Sequence, residues 1–131
     1  MKNTKTIDAA QLNSRERLLE TAIGMFAEKG YAGTSVREIV GRAGVSKPVL
    51  YYYFKSKEGL FLDILDMAEN LQKQLLSEVL KTEGNVLDRL LMLYRRVYAG
   101  IDEHRSLYKM IHGLISGPPQ GAPDYDFTRY H

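Results

Sequence analysis

Apolar residues recur along this chain at spacings of three and four, the period of helices that bury one face. Leu19, Ala22, Ile23, Phe26 and Ala27 form the first stripe. Asn13 and Glu16 have the spacing of a capping pair that would open this helix, and Gly30 is placed to stop it. Ser35 and Glu38 repeat the capping pattern. Val36, Ile39, Val40 and Ala43 then fall at i, i+3, i+4 and i+7, predicting a short second helix that ends at Gly44. Ser46 can cap a third helix with Pro48 in its first turn, where a missing backbone N–H costs nothing. Val45 and Leu50 suit a hydrophobic staple across that cap, and Leu50 and Phe54 form an inward i,i+4 pair. Ser56 can cap a longer fourth helix reaching about Leu80, with Leu60, Ile64, Leu65, Met67, Leu71, Leu75 and Val79 on its apolar side. After the polar break from Lys81 to Asn85, a fifth helix is expected from Val86 to about Ile101. Its apolar face is wide enough to predict burial on more than one side. Leu107, Ile111, Leu114 and Ile115 mark a sixth helix, and "GPPQGAP" at 117–123 is a breaker loop. The closing "DYDFTRYH" stops where a seventh helix could be starting, so a chain cut short is expected. The whole pattern predicts an all-α protein.

Composition narrows the class of molecule. Of the 131 residues, 44% are hydrophobic and 26% charged, as in ordinary globular domains, which argues against disorder. The longest strongly apolar run, Leu90 to Tyr94, is too short to cross a bilayer, so no membrane partner is expected. The polar start, Met1 to Leu12, has no apolar core of a signal peptide, and a cytoplasmic location is the expectation. Without cysteine, disulfides and thiolate metal sites are excluded. The net charge of +2 conceals an asymmetry: residues 1–60 carry ten Lys or Arg against six Asp or Glu, and residues 61–131 carry eight against ten. Between Thr34 and Lys57 the bases are Arg37, Arg42, Lys47, Lys55 and Lys57, with Glu38 the single acid. Such a positive segment on a near-neutral chain has the footprint of a polyanion partner.

The segment "SKPVLYYYFKSK" (46–57) sharpens that expectation. In a helix, Tyr51, Tyr52 and Tyr53 spread over roughly 200° and cannot all face one core. Leu50 and Phe54 take the inner side, leaving phenol rings on the sides and front among lysines. Two short helices joined by a turn at "AGVS", the second with a basic and aromatic face, fit a helix-turn-helix whose second helix enters the DNA major groove. Lys47, Lys55 and Lys57 supply charge for phosphates. Ser46 and Thr34 sit at helix N-termini, where hydroxyls and free N–H groups favour phosphate oxygens. Pro48, Val49 and the Tyr51 ring offer apolar surface for thymine methyl groups.

The stretch "AEKGYAGTSVREIVGRAGVSKPVLYYYFKSKEGLF" (27–61) resembles the DNA-binding domain of the TetR family of transcriptional regulators. The likeness lies in the first helix ending at Phe26 and "EKGY", in the "TSVREIVGRAGVS" helix and turn, and in the "LYYYFKSKEGLF" junction. It extends over about residues 14–65. The resemblance implies a tail at 1–13, a helix-turn-helix domain at 14–60 and a helical effector-binding and dimerisation domain, incomplete, at 61–131. It implies that Thr34 and Arg37, with Ser35 beside them, touch the DNA backbone, Arg37 being able to reach a base edge. Lys47, Pro48 and Tyr51 would contact bases, while Ser46, Tyr52, Tyr53 and Lys57 would grip phosphate. Tyr53 could also pack partly inward. A repressor of this type binds a palindromic operator as a homodimer and leaves it when a small-molecule effector binds.

For that effector, Tyr94, Tyr98, Tyr108, Met110, Ile111 and His112 are pocket candidates, although helical aromatic and Met stripes also build plain cores. Asp102, His104 and His112 match no standard ligand spacing, so no metal and no other cofactor is expected. No nucleophile elbow, P-loop or H-E-x-x-H motif points to an enzyme. The alternative is a helical ligand- or protein-binding module whose basic segment meets an acidic partner.

Overall fold

A computed structural model describes the backbone of residues 2–125 and the side chains of residues 14–125. Its regular structure is all helical: α1 (Lys2–Lys29), α2 (Val36–Ala43), α3 (Lys47–Phe54), α4 (Lys57–Lys81), α5 (Val86–Glu103) and α6 (Arg105–Ser116). The first helix differs from expectation. No Gly or Pro interrupts Lys2 to Asn13, so the helical backbone begins at Lys2 in place of a tail, and Asn13 lies inside α1 and does not cap it. The stop at Gly30 holds, with φ +75, a left-handed value that glycine adopts without Cβ strain.

The short helices are fixed by local chemistry. Ser35 caps α2 by accepting the Glu38 N–H at 3.1 Å, and Gly44 closes that helix at φ +70. Ser46 stands at the N-cap of α3 with extended backbone, and its carbonyl accepts the first N–H groups of the helix, but its hydroxyl makes no capping bond. Ser56 caps α4 through the Gly59 N–H at 2.9 Å. Gly59 also permits a close approach, because a Cβ there would lie 2.0 Å from the Phe54 carbonyl oxygen. The end of α3 therefore presses directly on the first turn of α4.

One core joins these elements. α1 is central, packing against α2, α3, α4 and α6. Leu18, Met25 and Phe26 of α1 meet Ile39 of α2, Leu50 and Phe54 of α3 and Leu60, Phe61 and Ile64 of α4, with Leu107 and Met110 of α6 closing the far side. Phe26 and Tyr31 stack, and Phe61 meets both edge-on, a trio with ring centroids 5.0–5.8 Å apart. Burying a side chain such as Leu50 or Phe61 contributes about 1.5–3 kcal/mol.

The fifth helix overturns its prediction. α5 packs on α4 and α6, and it has no buried residue; Val86, Leu87, Leu90, Leu91, Tyr94 and Tyr98 are all exposed. Its apolar stripe exists, but among the described residues Leu93 and Val97 are only half-buried and most of the stripe is left uncovered. The expected seventh helix at 124–131 lies outside the described residues beyond Tyr125, and residues 119–125 are irregular.

Candidate nucleic-acid interface

The third helix divides by side chain. Leu50 is fully buried and Phe54 is 3% exposed, whereas Tyr51 is 45% and Tyr52 72% exposed. Lys47 and Pro48, at the first turn, are exposed, and Val49 is half-buried against the core edge. Tyr53 turns partly inward, packing edge-on to Tyr52 at 5.0 Å and near Phe54 at 6.2 Å. From behind, the Arg15 guanidinium of α1 lies 5.4 Å from the Phe54 ring centroid, a brace between α1 and α3 that nothing in the local sequence pattern signals. The outer face of α3 thus carries an ammonium, a proline ring and two phenols, beside the free N-terminus of a helix.

Arg37 and Arg42 are exposed on α2. Glu38, the single acid of this segment, receives the Lys29 ammonium at 2.6 Å and the Ser35 hydroxyl at 3.2 Å. The Lys29 contact leads the causes, with the Ser35 bond behind it, that hold this carboxyl below its usual range. The face therefore keeps its positive character with its one carboxylate matched.

Three expected contacts change role. Thr34 is 1% exposed, and its hydroxyl lies 2.8 Å from the Gly30 carbonyl and 3.3 Å from that of Met25. It closes the end of α1, with its hydroxyl directed into the protein. Ser35 is exposed, but its hydroxyl is engaged by the α2 cap. Lys57 reaches back 26 residues to donate to the Tyr31 carbonyl at 2.8 Å and to the Thr34 carbonyl at 2.9 Å. Its ammonium also sits 4.0 Å from the centre of the Tyr31 ring. Burial draws this ammonium below the ordinary lysine value. Two of its three donors are thus directed into the protein, where they join α4 to the loop between α1 and α2.

The effector candidates do not converge on a pocket. Met110 is buried in the core with Leu107, and Ile111 packs beside it because α6 lies along α1. Tyr94 and Tyr98, each 61% exposed, lie against one another with tilted rings 4.8 Å apart on the outside of α5, and Tyr108 is exposed as well. His112 is exposed on α6. An open groove of about 530 Å³ lies elsewhere on α5, lined by Asp88, Leu91, Met92, Arg95, Arg96 and Ala99. Among the described residues, no group of three His, Cys, Asp or Glu side chains could hold a metal ion, and no helix is long and apolar enough to cross a membrane.

Known proteins share this arrangement. The sequence pattern described as "Bacterial regulatory proteins, tetR family" matches residues 18–64, the span from α1 through the first turns of α4. The HTH-type transcriptional repressor KstR2 of Mycobacterium tuberculosis is 34% identical over 99 residues, 75% of this chain and 50% of its own length. YdgC of Bacillus subtilis, an HTH-type transcriptional regulator described as uncharacterized, is 32% identical over 103 residues, 76% of this chain and 53% of its own. Among solved structures, a gamma-butyrolactone receptor (ArpA-like protein) superposes with a TM-score of 0.73 at 25% identity, over 85% of this chain and 58% of that one. The chain spans about half the length of the curated relatives it matches. The capped helix pair, the outward phenols of α3 and the matched span together place this chain in the TetR family of bacterial regulatory proteins.

Proposed function

We propose that this protein is a sequence-specific DNA-binding transcriptional regulator, a ligand-responsive repressor that binds a palindromic operator as a homodimer in the cytoplasm. One observation carries this: Leu50 and Phe54 anchor α3 from behind while Tyr51 and Tyr52 remain in solvent beside Lys47. A helix held in this way can enter a major groove. Lys47, Pro48 and Tyr51 face base edges; Ser46, Tyr52, Arg37 and Lys55 reach phosphates. The half-buried Val49 and Tyr53 contribute mainly by fixing the tilt of the helix. The repressor named among the relatives supports repression, and the gamma-butyrolactone receptor among the solved structures supports control by a small molecule.

Release requires the effector to bind the arrangement unsuited to DNA more tightly, since equal affinity for both arrangements shifts nothing. Helix α4 is the natural lever, because Gly59 lets its first turn press against the end of α3. A tilt of two subunits would spoil a half-site spacing of about 34 Å. The test is fluorescence anisotropy of a labelled random duplex over a range of salt. Log affinity should fall linearly with log salt, by about 0.9 for each phosphate neutralised. No salt-dependent binding would defeat the proposal and favour the protein-binding alternative.

A further inference from the structure

The irregular segment after α6 is tied at three places. At its start, the Gly117 N–H closes α6 on the Gly113 carbonyl at 2.9 Å. In its middle, the Gln120 carbonyl accepts the Ala32 N–H at 3.0 Å, from the loop that leads into α2. The Gln120 side chain lies between the helices it joins, so close that a Cβ at Gly30 or Gly113 would meet it at 3.4 Å. At its far end, the Tyr125 hydroxyl lies 2.8 Å from Asp66 Oδ1 and 2.7 Å from Glu69 Oε2, two carboxylates one turn apart on α4. Ala122 and Tyr125 also pack on the core. Burial first, and then the two carboxylate acceptors, push the Tyr125 phenol far above its ordinary value, so it stays a donor.

We infer that residues 117–125 are a strap that reports the position of α6 to the DNA-reading unit by a route separate from the α3–α4 junction. This inference rests on the DNA-binding function proposed above. Ala32 stands three residues before Ser35, the cap of α2, and two before Thr34, whose carbonyl holds Lys57. A shift of α6 pulls Gln120, Gln120 pulls the loop, and the loop sets where α2 begins. The phenol keeps the strap taut by fixing its far end to the middle of α4. A loop that merely connected helices would need neither the backbone bond to Ala32 nor a phenol held by two carboxylates.

The test is amide hydrogen exchange at Ala32 together with duplex affinity, both measured on Tyr125→Phe. Losing a hydroxyl bond to a charged group should speed exchange at Ala32 about tenfold and change duplex affinity by a similar factor, with helical circular dichroism unchanged. The double variant Asp66→Asn/Glu69→Gln weakens the same anchor from the other side and should reproduce both changes. Unchanged exchange at Ala32 in Tyr125→Phe overturns the strap. Faster exchange with duplex affinity unchanged overturns its link to DNA reading. If wild type binds no duplex, the DNA-binding function fails, an outcome separable from the strap because exchange is read without DNA.

Discussion

Replacing Lys57 with methionine keeps most of the apolar stem of the side chain and removes its ammonium. The structure assigns that charge to three contacts: the Tyr31 carbonyl at 2.8 Å, the Thr34 carbonyl at 2.9 Å and the Tyr31 ring at 4.0 Å. Hydrogen bonds from charged groups contribute about 1.5–3 kcal/mol each, and a partly exposed cation over a ring about 0.5–1 kcal/mol. Lys57 is half-buried, so water can replace part of what is lost. The low-end sum for the cluster, about 3.5 kcal/mol, is cut by that solvation to an expected destabilisation of about 2 kcal/mol. For a chain of this size that lowers the melting temperature by roughly 6–8 °C. The assay pairs urea and thermal unfolding with the salt dependence of duplex binding. If Lys57 is a clamp, the unfolding midpoint falls and the slope of log affinity against log salt stays the same. A slope reduced by about one unit with unchanged stability would refute the clamp and restore the phosphate contact expected from sequence.

Three further outcomes follow from the geometry. Tyr51→Ala should cost about tenfold in preference for the operator over random duplex, and an equal fall on both would assign the ring to positioning the helix. Gly59→Ala places a methyl 2.0 Å from the Phe54 carbonyl oxygen. It should destabilise by about 1–3 kcal/mol, against the usual helix-favouring effect of alanine, and a urea midpoint at or above wild type would disprove the close approach. Because the Glu38 carboxyl is held below its usual range in the fold, its contribution is present above the ordinary carboxylate value and lost as pH falls through the lower, folded one. The stability difference between wild type and Glu38→Gln should therefore vanish in acid. A difference independent of pH would show that the Lys29 contact is not its source.

Local chemistry made most of the fold legible. The caps at Ser35 and Ser56 and the stops at Gly30 and Gly44 depend on neighbours within a few positions, and each stands where the sequence places it. The outward phenols of α3 were legible too, because Leu50 and Phe54 leave a helix only one way to face. What escaped depends on distant partners. Thr34 has the residue type and place of a phosphate contact, but carbonyls at the end of α1 decide which way its hydroxyl points. Lys57 looks like a free charge after a cap until Tyr31 comes beside it. An apolar stripe such as that of α5 states what a face favours and not whether another element covers it. Tyr94 and Tyr98 were candidates for a pocket wall for the same reason, and they lie in the open. The helix through residues 2–13 was missed because a capping pattern at Asn13 does not require a helix to begin there.

The absence of slack between α3 and α4 has a geometric consequence. With 25 residues, α4 is about 37 Å long. If it swings as a rod about its far end, a turn of only about 5° carries its near end, and the recognition helix pressed against it, through about 3 Å, close to the ~3.4 Å separating successive base pairs. If α3 reads DNA as proposed, angular changes too small to alter any helix are therefore enough to move its phenols from one base step to the next.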